Sequence, residues 1–167
     1  DLVAYDRKHN EANGHGNRDG TDDNRSWSCG VEGDADTPDD VLALRRQQAK
    51  NFCALLMLAN GLPMIVAGDE FLNTQGGNNN PYNQDNETTW LDWARLEQNR
   101  EVFRFFKLMI AFRKAHPSIG RGTFWRDDVS WHGPDGPVDF GAEARCVGYT
   151  LRGAKLGDDD LLVMINA

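Results

Sequence analysis

The chain has 167 residues, with 40% hydrophobic and 26% charged side chains, a balance that suits about one soluble domain or one and a fraction. Lys plus Arg number 18 against 26 Asp plus Glu, so the net charge is -8 and no basic face is available for phosphates, which argues against nucleic acid and anionic membrane as partners. The longest near-continuous apolar run, Phe52 to Ala59, is too short to cross a bilayer, and Cys29, Cys53 and Cys146 fit neither a disulfide framework nor a zinc spacing. A reducing cytoplasm is the expected setting.

The first stretch, Asp1 to Tyr5, carries no cap or targeting region, and the last, Leu161 to Ala167, reads as a strand with nothing after it to pair with; both ends are expected to be cuts in a longer protein. Residues 6–37 are rich in Asn, Asp and Gly with no period, which predicts one long loop, held in order by Trp27 and its turn formers. Thr37-Pro38-Asp39-Asp40 then predicts a helix start: a hydroxyl for the N-cap, proline in the first turn and acids at the positive end of the dipole. The helix carries Val41, Leu44, Phe52, Leu55, Leu56 and Ala59 near one face and closes at Asn60-Gly61. Its second half is apolar nearly all round, which predicts burial on more than one side.

Leu62 to Ala67 is a short apolar run without alternation, bounded by glycines, as a strand buried on both faces would be. It leads into Gly68-Asp69-Glu70, then a second polar loop, Asn73 to Trp93. A second helix is predicted from about Asn99 to Ala115, with Val102, Phe105, Phe106, Met109 and Phe112 on one face, ended by His116-Pro117. Beyond Gly120, Val129-Trp131, Val147-Leu151 and Leu161-Ile165 alternate with turn formers, the texture of antiparallel sheet. The first part has the grammar of a (β/α) barrel, where loops at strand ends hold the chemistry.

Asp69 and Glu70 stand where a barrel strand would end, which makes them site candidates; equally, they could hold the loop by bonding an arginine or a helix N-terminus. Adjacent residues on one strand point apart, so these two do not make the carboxyl pair that glycoside hydrolysis requires. Trp27, Tyr82, Trp90 and Trp93 lie in loops dense in Asn, Asp and Gln. Aromatic rings stack on the apolar face of a sugar while amides and carboxylates bond its hydroxyls, although each tryptophan could instead plug its loop onto the scaffold. Asp19 to Asn24 has the composition of a calcium loop but lacks the Asp-x-Asp-x-Asp-Gly order and the distal Glu. No nucleophile elbow or phosphate loop occurs, and neither cofactor nor metal is expected.

Several motifs are familiar. Gly61-Leu62-Pro63-Met64-Ile65-Val66-Ala67-Gly68-Asp69-Glu70 resembles the last barrel strand of the alpha-amylase superfamily, Gly-x-Pro-x-x-x-x-Gly-x-Glu. Lys8-His9-Asn10-Glu11-Ala12-Asn13-Gly14, Asn17-Arg18-Asp19-Gly20, Ser26-Trp27-Ser28-Cys29-Gly30, Thr74-Gln75-Gly76-Gly77-Asn78-Asn79-Asn80 and Gln84-Asp85-Asn86-Glu87 resemble the bacterial glycogen debranching enzyme and isoamylase branch. The resemblance covers essentially the whole chain. It implies an α+β fragment: the last βα units of a TIM (β/α)8 barrel over residues 1–120, then the first antiparallel strands of a C-terminal β-sandwich over 121–167.

It further implies a parent enzyme that hydrolyses α-1,6 branch linkages in glycogen or limit dextrin by a retaining mechanism. The nucleophilic Asp, the acid/base Glu and the transition-state His-Asp pair of that family would all lie upstream of Asp1, so no catalytic residue is assigned here. Asp69, Glu70, Gln84, Asp85, Asn86 and Trp90 are the implied substrate contacts. A non-catalytic glucan-binding module and a transglycosidase are the alternatives. A strand at 62–67 without neighbours would leave open edges, through which self-association is expected.

Overall fold

The computed structural model describes residues 1–166. Its helices are α1 (Asp39–Leu58), α2 (Ala94–Gln98), α3 (Arg100–Ala115) and α4 (Pro117–Gly120), and its strands are β1 (Val129–His132), β2 (Cys146–Leu151) and β3 (Leu161–Asn166). By packing, the chain divides into two compact units: one holds Asp1–Leu55 and Met64–Met109, the other Leu56–Pro63 and Ile110–Ala167.

In the first unit the long loop of residues 6–37 is ordered by its own hydrogen bonds, as expected. Helix α1 begins one residue beyond Pro38, whose carbonyl accepts from Leu42 N at 3.0 Å. Thr37 does not act as the cap: its hydroxyl donates to Gly33 O at 3.1 Å and ties down the end of the loop. The buried stripe of α1 also differs from the expected one. Arg45, Ala49, Cys53 and Met57 are the buried positions, four residues apart, whereas Phe52 and Leu55 are 45% and 44% exposed. Ala49, Cys53, Met57 and one arginine thus form the inner face, while Phe52 and Leu55 remain largely in solvent.

Arg45 explains the choice. Its guanidinium is 3% exposed and donates to Ser28 O, Val31 O and Gly33 O, while Nη1 meets Asp34 Oδ1 at 3.0 Å. A buried guanidinium is tolerated only with its fork of donors filled, and here backbone carbonyls of the loop fill it. Asp34 also accepts from Arg95 Nη2 at 2.6 Å, and Arg95 Nη1 donates to Leu72 O at 3.0 Å. Fully buried Phe71 and Val102, with Phe106, supply apolar packing in this unit.

Leu62 to Ala67 does not form the expected strand. It has no ladder partner among the described residues, and Leu62, Met64 and Val66 are 96%, 86% and 65% exposed. A strand is defined by a neighbour's backbone, and none of the described strands lies beside this one. The run ends in a local turn, with Asp69 N donating to Val66 O at 3.1 Å.

The second unit holds a three-stranded antiparallel sheet in the order β1-β2-β3, registered by pairs such as Trp131 with Tyr149 and Tyr149 with Val163. The period-two pattern is visible in β3, where Leu161, Val163 and Ile165 are partly buried and Leu162 and Met164 are exposed. Ile119, Tyr149 and Leu151 form the core, with Leu58, Trp125, Val129, Leu161 and Val163 around it. Tyr149 OH donates to Leu58 O at 2.8 Å. A second buried arginine, Arg113, closes the end of α1 by donating to Met57 O at 2.7 Å, Ala59 O at 2.8 Å and Gly61 O. No described helix is long and apolar enough to cross a membrane.

Candidate functional site

Two polar loops of the first unit, residues 6–37 and 73–93, are sewn together by side-chain amides. Asn10 is completely buried; its Nδ2 donates to Asp19 O at 3.0 Å and Asn79 Oδ1 at 2.9 Å, and its Oδ1 accepts from Asn79 N at 3.0 Å. Asn13 and Asn78 exchange amides, with Asn78 Nδ2 donating to Asn13 Oδ1 at 2.8 Å. Asn13 Nδ2 also reaches Asn80 O at 2.9 Å and Asp19 Oδ2 at 2.7 Å. A carboxamide carries both donors and an acceptor, so a pair of them can bridge two loops without burying a net charge.

Asp19 accepts from Asn13 and from Asn80 Nδ2, and these bonds hold its carboxyl below the ordinary range. Gly20 has φ of +70°, and a Cβ there would collide with the Asn10 and Asn79 amides. Gly77, at φ of +78°, lies against the rings of Tyr5 and His9 in the same way. Asp1 completes the clasp, its carboxylate accepting from Gln75 N at 2.9 Å, Gly77 N at 3.1 Å and the Thr74 hydroxyl.

The six candidate residues occupy two places. Asp69 and Glu70 turn back on their own backbone: Asp69 Oδ2 accepts from Val66 N at 2.8 Å and Glu70 Oε2 from Gly68 N at 3.0 Å. Gln84, Asp85, Asn86 and Trp90 share a single turn. Gln84 Nε2 donates to Ala12 O at 3.0 Å and Asn13 Oδ1 at 3.1 Å, and its Oε1 accepts from Asn86 Nδ2 at 2.9 Å. Asn86 Oδ1 accepts from Thr88 N, and Trp90 Nε1 donates to Asp85 Oδ1 at 3.1 Å. No hydrogen bond joins the two sets among the described residues.

The indole bond to Asp85 fixes a ring that is 59% exposed. Trp27, Trp93 and Tyr82 are also exposed, Trp93 packing on Phe71 at 5.5 Å between ring centroids. Residues 19–24 spend their acids locally: Asp22 pairs with Lys8 Nζ at 2.8 Å and Asp23 with Arg25 Nε at 3.0 Å. Among the described residues no three His, Cys, Asp or Glu side chains cluster to hold a metal. The surface is therefore an amide-rich, aromatic-studded one, chemically matched to a neutral polyhydroxylated ligand.

The amide clasp itself was not anticipated. Its only trace in the sequence is the density of Asn in Asn10, Asn13 and Asn78-Asn79-Asn80, which by itself signals turns.

No family model matches the chain. It is 42% identical over 192 aligned residues to the glycogen operon protein GlgX homolog of Mycobacterium tuberculosis, covering all of this chain and 26% of that protein. Against the chloroplastic isoamylase 3 of Oryza sativa it is 48% identical over 134 residues, covering 79% of this chain and 17% of the relative. The pullulanase of Paenibacillus barengoltzii, solved with maltohexaose and alpha-cyclodextrin, superposes with a TM-score of 0.61 at 28% identity, over 78% of this chain and 19% of that one. The chain thus spans about a quarter of the length of the GlgX homologue. Identity of 42% to the GlgX homologue with the whole chain covered, and of 48% to isoamylase 3 over 79% of it, places the chain in the GlgX and isoamylase branch of the alpha-amylase superfamily.

Proposed function

We propose that the chain is part of a glycoside hydrolase that cleaves α-1,6 branch linkages in glycogen-type glucans, and that it supplies a glucan-facing loop surface rather than the reacting groups. The observation that carries this reading is the identity to GlgX and isoamylase sequences over most or all of the chain, which includes loops whose rigid amides and exposed indoles suit a sugar. The pullulanase neighbour was solved with maltohexaose, which supports an α-glucan as the ligand class. On this reading residues 1–120 contribute the end of a (β/α)8 barrel and 121–167 begin a β-sandwich. Glycogen or limit dextrin is the substrate and the cytoplasm the place of work, in keeping with three free thiols, of which that of Cys53 is pushed by burial up to about 11.

Within the surface, Trp90 offers its face to a sugar ring, and Asp85, Gln84 and Asn86 orient it and meet hydroxyls at its edge. Asp69 and Glu70 form the turn from which the loop departs and contact the same chain of sugars. A retaining mechanism needs two carboxyl groups about 5–5.5 Å apart across the scissile bond. Asp69 and Glu70, neighbours already bonded to backbone amides, do not meet that requirement, and the family resemblance implies a nucleophile and acid/base on residues outside this chain.

The test joins turnover and binding. Purified chain incubated with glycogen is expected to release no reducing ends above a denatured control, while a fluorescence titration shows that it binds maltohexaose. Trp90→Ala is expected to weaken that binding by about 0.5–1.5 kcal/mol, the worth of one aromatic stack beyond its buried area. Turnover by the chain alone, or equal titration curves for the two proteins, overturns the assignment.

A further inference from the structure

We propose that His15 and Tyr82 form a second sugar-stacking platform, which carries a stretch of α-1,4-linked glucan chain alongside the Trp90 turn. The inference rests on the glucan reading above and adds to Tyr82 a partner ring, His15, that no sequence motif singles out. The two rings lie nearly parallel, 14° apart with centroids 6.4 Å from each other, and His15 Nε2 and Tyr82 OH share a hydrogen bond of 2.9 Å. Joined through that bond they present a continuous flat surface wider than either ring alone. Tyr82 is 69% exposed and His15 is exposed as well.

Two exposed side chains fixed against each other lose rotamer freedom without the return that burial gives. What fixes them comes from below. Asn13, buried, precedes Gly14 and His15, while Asn80 and Pro81 precede Tyr82; the Asn13 amide donates to Asn80 O at 2.9 Å. Both arms of the platform therefore rise from one clasp. Gly14 and Gly16, at φ of +80° and +59°, turn the backbone on either side of His15, and Arg18 Nε donates to His15 O at 3.2 Å. A pre-ordered platform spares a ligand the cost of organising it.

The surroundings select the ligand. Exposed Arg18, whose Nε holds His15 O, and Asn83, next to Tyr82 and bonded through Nδ2 to Asn13 O at 3.1 Å, keep further N–H groups for hydroxyls, and the chain's charge of -8 disfavours anions such as nucleotides. A chain of neutral pyranose rings, each with one apolar face, fits both features.

Proton NMR of the full chain with maltohexaose provides the test. Nuclear Overhauser contacts between the Tyr82 ring protons and sugar C–H protons are expected, and their absence at saturating maltohexaose overturns the platform. Tyr82→Ala is expected to raise the Kd about three- to tenfold, and Tyr82→Phe, which keeps the ring but frees His15 from it, by a smaller factor. Amide signals of Asn13 and Asn78 report whether the clasp survives each substitution, and if it does not, the ring contacts in the unaltered chain decide. An unchanged Kd for Tyr82→Ala beside a weakened Trp90→Ala overturns the platform and leaves the glucan reading standing. No binding of maltohexaose by the unaltered chain overturns both.

Discussion

Asp158 accepts from more donors than most exposed carboxylates meet. Its side chain is 4% exposed and receives Ser118 N at 3.0 Å, the Ser118 hydroxyl, His116 Nδ1 at 2.7 Å and Asp159 N at 2.9 Å. An ionised carboxylate can only accept, so the proton of that histidine contact sits on Nδ1. Burial alone would raise the carboxyl; the hydrogen bonds from Ser118 and His116 outweigh it and bring it from the ordinary 3.8 down to about 2. A group depressed on folding stabilises the fold above its unfolded value and loses that contribution as pH falls through its folded value. Urea denaturation is therefore expected to show a midpoint that drops between pH 3.8 and about 2. Asp158→Asn should lower the midpoint near neutrality and flatten part of the acid slope. Part of the slope remains, because Asp128, Asp6 and Glu32 are also depressed by their hydrogen bonds. An acid slope identical in both proteins would show that the Asp158 bonds contribute nothing to folding.

At the scale of elements, α1 depends on the loop that precedes it through a single side chain. Arg45→Met removes the donors for Ser28 O, Val31 O and Gly33 O and leaves Asp34 with Arg95 alone. Breaking a buried, fully bonded charge costs roughly 3–5 kcal/mol, and chemical denaturation of Arg45→Met is expected to fall in that range. Arg45→Lys should recover little, since a point-like ammonium cannot span the same acceptors. A loss under about 1 kcal/mol would mean that water serves the carbonyls equally well. Which elements were legible beforehand follows from the range of the forces that make them. The start of α1 near Pro38, the body of α3 and all three strands were readable, because local periodicity and turn chemistry determine them. The inner face of α1 differs from the one periodicity predicts, since Arg45 is buried only through the loop carbonyls that fill its donors. At 62–67 the missing neighbours and open edges are legible in the sequence, while the burial on both faces that the apolar run predicts is absent, because no described strand covers it. In the site, Trp90 and its turn could be picked from composition and motif, while the pairing of Asn13 with Asn78 is invisible without the fold.

For the molecule as a whole, the exposed segment and the charge act against each other. Leu62, Met64 and Val66 present exposed apolar side chains, and none of the described strands pairs with their segment, an open template for a second copy. A net charge of -8 on each chain opposes that approach, with a reach set by the salt. Sedimentation velocity is expected to show concentration-dependent self-association that strengthens as salt rises. Met64→Lys combined with Val66→Lys should return the chain to a monomer. A unaltered chain that stays monomeric at every salt, with the amides of residues 62–67 exchanging freely, would show that solvent alone satisfies this segment.

The clasp between the two loops also gives the protein a clock. Asn13, whose amide nitrogen bridges Asp19 and Asn80, is followed by Gly14, the pairing in which a backbone nitrogen most easily attacks the side-chain carbonyl and expels ammonia. In the folded chain that nitrogen is held by Glu11 O at 3.1 Å and the side chain by its bonds, so the ring closure is blocked while the structure stays shut. Each opening exposes it. The acid that results would carry a negative charge to within bonding distance of the Asp19 carboxylate and lose the donor that joined them. Reclosure would then meet repulsion where there had been a bond, so the age of a preparation would be written first into the joint between these loops.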